Sequence, residues 1–157
     1  MKKNYLNIYN NLIKLTRNKS LYLKLYKNDT FSDRLIILFF HFSFFLKYYK
    51  KINSKNDSQE LFDFFIKQIE LSIREIGYGD VSVNKKMKEY VNLFFSILEK
   101  IEKWDNLEKL KKKDTIANLM NIKEDNVLFV NYFDKYSDFL SKNSLKIFTK
   151  DILELKF

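Results

Sequence analysis

Cysteine and proline are absent, and glycine occurs only twice, at Gly77 and Gly79. Without cysteine there is no disulfide, no thiolate metal site and no thiol nucleophile. The absence fits a reducing compartment. With no proline and so little glycine, almost nothing in the chain interrupts a helix. His41 is the only histidine, which argues against a His-ligated metal site. Arginine is scarce too: only Arg17, Arg34 and Arg74 stand among 29 basic residues. Apolar runs are short. The longest, residues 35–46, contains His41 and Ser43 and falls well below the ~20 residues that cross a bilayer. It reads as a helix buried on most sides. The basic start is not followed by a signal-peptide core, because residues 4–16 mix Asn and Lys with apolar side chains.

What remains is a chain of 157 residues, 46% hydrophobic and 17% aromatic, long enough for one domain with a real core. The net charge is +9 and the pI about 9.5, which favours anionic partners such as RNA, ribosomes or acidic lipid headgroups. The same abundance of Lys, Asn, Ile, Phe and Tyr is what AT-rich codon usage produces, so charge alone does not choose a partner.

Apolar residues recur at helical spacing along most of the chain, and no useful alternating strand or internal repeat interrupts them. Residues 4–16 predict a first helix, with Tyr5, Ile8, Leu12 and Leu15 on one face. A short segment over 20–26 follows. Asp29, Thr30 and Ser32 offer caps for a second helix over 32–51. Asp57 and Glu60 stand at capping-box spacing, opening a third helix that runs to Ile76. Its apolar stripe is Phe62, Phe65, Ile66, Ile69, Ile73 and Ile76, and Gly77 occupies the position of a left-handed C-cap. Asn84 is read as the cap of a fourth helix to Trp104, with Met87, Val91, Phe94, Leu98 and Ile101 inward. Residues 107–112 read as a short helix, and Asp114 as the cap of another to Asn121. A last helix over 126–141 carries Phe129, Phe133, Tyr136 and Leu140; residues 144–157 read as a frayed helix or a loosely attached tail. The expectation is an all-α single domain of five to seven helices, its core formed by the second, third and fourth.

Little in the chain resembles a catalytic set. His41 lies among Phe39, Phe40, Phe42, Phe44 and Phe45, the setting of a hydrogen-bonded core histidine. No serine sits beside a plausible base, and no Gly-rich loop cradles phosphate. Lys111-Lys112-Lys113 reads as a solvated turn, a weak nucleic-acid signal with Glu99, Glu102 and Glu108 nearby.

Residues 74–88 are the exception. Both glycines fall here, suggesting backbone with φ > 0 or close approach. Arg74 is placed to pair with Asp80 across the turn. Arg74, Glu75, Gly77, Gly79, Asp80, Lys86 and Lys88 form either a rigid structural corner or a docking corner for a partner.

The stretch Ile73-Arg74-Glu75-Ile76-Gly77-Tyr78-Gly79-Asp80-Val81-Ser82-Val83-Asn84-Lys85-Lys86-Met87-Lys88 resembles the signature of the ubiquinol–cytochrome c chaperone family, approximately L-R-E-[MI]-G-[VY]-G-D-[LV]-x-V-x-K-[KR]-[MV]-K. Upstream, Arg17, Tyr22, Asp29-Thr30, Arg34 and His41 are similar to the family's R…Y…D-T…R…H pattern, and Leu61-Phe62-Asp63 to its F-D helix start. The resemblance covers residues 5–105 and weakens beyond them. Asn84 stands where many members carry proline, an exchange that a helix N-terminus tolerates.

The resemblance implies an α-helical, non-enzymatic assembly factor for the cytochrome bc complex (respiratory complex III) with no cofactor and no small-molecule substrate. It implies cytochrome b or another bc-complex subunit as client. It also points to a small helical partner protein, the ribosome and the inner-membrane surface. With no transit segment read at the start, it points to a bacterial-type member, cytoplasmic and peripheral to the inner membrane. A basic helical module acting on RNA or the ribosome without a bc-complex client is the competing expectation.

Overall fold

The computed structural model describes residues 4–19, 21, 30–121 and 126–150. Among them are six α-helices and no strand: α1 (Tyr5–Thr16), α2 (Phe31–Ile52), α3 (Lys55–Ile76), α4 (Asp80–Glu102), α5 (Lys109–Met120) and α6 (Val127–Lys142). Two 3-10 turns, Trp104–Asn106 and Leu145–Thr149, complete the order. The all-α expectation holds. The segment expected over 20–26 lies largely outside the described residues.

The fold is organised around α2. Every residue from Ile37 to Lys47 is buried, so this helix meets protein on all sides and packs on α1, α3, α4 and α6. Successive residues of a helix point about 100° apart, and the Phe-rich run therefore sends rings toward α3, α4, α6 and the C-terminal turn. Phe39 meets Phe94 of α4 edge-on at 5.5 Å between centroids. Phe42 stacks on Phe65 of α3 at 3.8 Å. Phe44 stacks on Phe133 of α6 at 5.5 Å, and Phe45 meets Phe148 at 5.0 Å. Truncating one such ring to alanine costs about 3–5 kcal/mol, since the cavity closes only partly.

Most polar groups inside this core are paired, the Ser43 hydroxyl being an exception among the described residues. His41 is fully buried. Its Nδ1 lies 2.9 Å from the Ile37 carbonyl oxygen, which can only accept, so Nδ1 carries the proton. Nε2 then accepts from the Tyr132 hydroxyl at 2.6 Å. Burial, partly opposed by the Ile37 hydrogen bond, pushes the imidazole pKa down to about 3. The expected core histidine is what the structure contains. Lys47 is also buried, its ammonium donating to Asp105 at 2.8 Å.

The structure moves several boundaries. Thr30 caps α2 in a reciprocal capping box with Asp33, as the polar cluster there predicts. The third helix starts earlier than Asp57: Ser54 is its cap, accepting from the Asp57 backbone N–H at 3.0 Å. The fourth helix begins at Asp80 instead of Asn84, because Asp80 supplies negative charge to the first turn and Val83 is already fully buried. The two short helices expected over 107–121 are one, since Lys111-Lys112-Lys113 contains no breaker and Asn121 in the left-handed region ends it. The lysine run is thus helix, not turn. Lys112 is largely buried, donating to Asp134 at 2.8 Å and lying over the Trp104 ring.

At the far end, residues 144–150 are docked. Leu145 and Phe148 are buried, and Asn11 of α1 donates to the Phe148 and Lys150 carbonyls at 2.7 and 2.9 Å. The two ends of the described chain are thereby held together.

His41 gives the core a pH signature. Its folded pKa lies below the ordinary 6.5, so the unfolded chain binds the proton more readily. The resulting stability is fully present above pH 6.5 and is lost as pH falls toward 3. Unfolding free energy should drop by about 2 kcal/mol between pH 8 and pH 5. In His41→Gln the same interval should be nearly flat in denaturant titrations, although that variant starts less stable.

Candidate partner-docking site

The turn between α3 and α4 is three residues long, Gly77-Tyr78-Gly79. Gly77 has φ 107° and ψ 13°, and its N–H donates to the Arg74 carbonyl at 3.0 Å. This is the left-handed C-cap that its place after an amphipathic helix predicts. Gly79 differs from expectation. Its φ of −72° and ψ of 165° are ordinary extended values, and nothing lies within 4 Å of where a Cβ would stand. Neither positive φ nor close approach explains it; it serves as a side-chain-free N-cap for α4.

Charges tie the corner together. Arg74 donates to Asp80 across the turn and lies 3.6 Å from Glu70 one turn back, while Lys67 donates to Glu70 at 3.0 Å. The Lys67 hydrogen bond, against slight burial and helped by the charges of Lys67 and Arg74, lowers the Glu70 pKa. Hydrogen bonding to Asp80 raises that of Arg74. These groups are exposed, so the network fixes geometry more than it adds stability. Lys86 sits 4.7 Å above the Tyr78 ring. Lys88 lines a groove of about 420 Å³ between α3 and α4, whose apolar wall is Ile66, Met87 and Val91.

The expected corner residues therefore divide. Arg74 and Asp80 brace the turn, and Lys86 and Lys88 face outward from α4. Glu75 is exposed near the end of α3, and its charge adds weakly to the rise of the Tyr9 pKa that burial causes. Three apolar residues that the sequence did not single out as a group stand exposed at the tip: Ile76 at 52%, Tyr78 at 42% and Val81 at 85%. Ile76, predicted inward, faces solvent because α3 is ending there. Periodicity alone cannot tell the last position of a stripe from an exposed one.

The upstream set converges elsewhere. Arg17 and Arg34 line one small pocket together with Thr16, whose hydroxyl is 3.2 Å from His41 Nδ1. Tyr22 and Asp29 lie outside the described residues. Among the described residues, no group of His, Cys, Asp and Glu could hold a metal, and no helix is long and apolar enough to cross a membrane.

A braced corner, an adjoining groove and an exposed apolar tip mark the α3–α4 end of an all-α domain. The Ubiquinol-cytochrome C chaperone family matches residues 24–126, and the chain belongs to that family. The matched span contains Asp29, Arg34, His41 and the whole corner, whereas Arg17 and Tyr22 precede it. No curated protein and no solved structure matches the chain. Membership suggests a bc-complex assembly role, a bc-complex protein as client and a non-enzymatic mode of action.

The two glycines should respond oppositely to substitution. Gly77→Ala forces a Cβ into left-handed backbone and should cost about 1–2 kcal/mol in urea unfolding. Gly79→Ser adds a capping oxygen and should change stability by a few tenths of a kcal/mol at most, in the stabilising direction.

Proposed function

We propose that this protein is a non-enzymatic assembly chaperone of ubiquinol–cytochrome c reductase that captures newly made cytochrome b at the α3–α4 corner. The observation that supports this reading is the juxtaposition of Ile76, Tyr78 and Val81, all exposed, with Lys85, Lys86 and Lys88 of α4, beside a turn whose geometry is already fixed. A pre-organised turn loses little entropy on docking. Its apolar tip suits a client made of membrane helices, and the groove beside it has the character of a site that takes the apolar face of a helix. The lysines supply orientation and encounter rate. In this reading the protein works peripherally at the inner membrane, where its client is inserted, and a small helical partner and the ribosome are its other neighbours.

The net charge of +9 favours a second reading, a basic module on RNA or the ribosome with no bc-complex client. Recovery from membranes separates the two. Enrichment of cytochrome b supports the chaperone; RNase-sensitive, salt-labile ribosome association alone supports the RNA module.

Reversing Lys86 and Lys88 to Glu tests the corner. Both are on the surface, so stability should stay within about 1 kcal/mol of the parent, counting the lost Tyr78 contact. Assembled bc complex in cells carrying the double reversal should fall well below the parent level. Parent-level assembly would remove the lysines from the interface.

A further inference from the structure

The end of α4 opposite the corner carries a basic surface that the fold does not use. Lys50 donates to Glu102 and Lys47 to Asp105, so the last turns of α2 meet the end of α4. Lys112 lies over the Trp104 ring, which brings the first turn of α5 to the same place. These contacts take up Glu102 and Asp105. Lys100, Lys103, Lys109 and Lys111 are exposed and have no side-chain partner among the described residues. Lys51 adds a further positive charge above the Tyr48 ring. Over residues 99–111 the carboxylates left without an ion pair are Glu99 and Glu108, so the lysines outnumber them. Two aliphatic side chains stand at this same end: Ile52 is 70% exposed and Leu110, between Lys109 and Lys111, is 65% exposed. Among the described residues, Val81 is the one large apolar side chain that is more exposed.

These features specify a partner chemistry. A negatively charged bilayer attracts clustered lysines through its surface potential, with no demand for a precise donor geometry. Their long stems let the ammonium groups reach the headgroups while neighbouring aliphatic side chains enter the boundary with the acyl chains. Either signal alone holds a protein at a bilayer weakly, and the two together hold it well. RNA would reward the charge but not Ile52 and Leu110, and its bases stack on open aromatic rings. The rings at this end are Trp104, which is fully buried, and Tyr48, which Lys51 covers.

We propose that this end of the protein binds the surface of a bilayer containing anionic phospholipid, with Lys100, Lys103, Lys109 and Lys111 at the headgroups and Ile52 and Leu110 inserted among them. The proposal rests on the reading of the protein as peripheral to a membrane, and it supplies the surface that makes the contact. α4 separates this end from the corner by its 23 residues, about 34 Å. The corner therefore stays open to a client while the bilayer is bound.

The test is co-sedimentation of the full chain with large unilamellar vesicles, made of phosphatidylcholine alone or with about 30% phosphatidylglycerol, in about 0.1 M salt. Binding should require phosphatidylglycerol and should be lost by about 0.5 M salt. Lys109→Gln/Lys111→Gln should weaken it about tenfold or more. Ile52→Ser/Leu110→Ser should weaken it about fivefold or more. All four substitutions are on the surface, so melting temperatures should stay at the parent value. Lys14→Gln/Lys19→Gln, exposed near the end of α1, should bind as the parent does. Equal binding to both kinds of vesicle, parent-like binding by Lys109→Gln/Lys111→Gln, or an equal loss in Lys14→Gln/Lys19→Gln would overturn the proposal. Vesicle binding that ignores Ile52→Ser/Leu110→Ser, beside tighter binding of a single-stranded RNA oligonucleotide through the same lysines, would reassign the surface to nucleic acid. Cytochrome b enters none of these readouts, so the client assignment stands or falls separately.

Discussion

A helix with an aromatic or aliphatic side chain at nearly every central position cannot face water on any side. Residues 37–47 of α2 impose that constraint, and the rest of the molecule is arranged to meet it. α3, α4 and α6 each answer a different phenylalanine of α2 with a ring of their own, while α1 closes another side. The C-terminal 3-10 turn is drawn in the same way, with Phe148 against Phe45 and its carbonyls held by Asn11. Two polar residues inside the shell, His41 and Lys47, are accommodated by hydrogen bonding and ion pairing, which is what burial of such groups demands.

This arrangement explains where function can reside. A core satisfied from all sides leaves the outer faces of α3 and α4 free of structural duty, and their connection is short enough to be fixed by one left-handed glycine and one ion pair across it. The corner is therefore rigid without being buried. Lys86 and Lys88 project from its α4 arm, and Ile76, Tyr78 and Val81 from its tip. Membership of the Ubiquinol-cytochrome C chaperone family gives this surface a context, because an assembly chaperone needs an exposed, pre-shaped region for its client and no reacting groups.

Much of the fold was legible because its signals are local. The 3.6-residue period, the Thr30 cap and Gly77 after the third stripe are each determined by neighbours in sequence. The start of α4 was misplaced because Asn84 is a good cap in isolation, while the burial of Val83, a tertiary fact, extends the helix back to Asp80. Lys112 read as solvated because its partners, Asp134 and Trp104, come from distant positions. The same holds for the site. The Arg74–Asp80 pair spans six residues and could be anticipated, but the shared pocket of Arg17 and Arg34 depends on how α1 packs on α2 and α3.

The central claim, that the α3–α4 corner holds cytochrome b, is tested most directly by site-specific photocrosslinking in cells. A photoreactive residue is placed at Tyr78 or Lys88, and for comparison at Lys142 on α6. Adducts with cytochrome b should form from Tyr78 and Lys88 and be absent from Lys142. Cytochrome b adducts from Lys142 alone, or from none of the three while the protein still supports assembly of the bc complex, would contradict it.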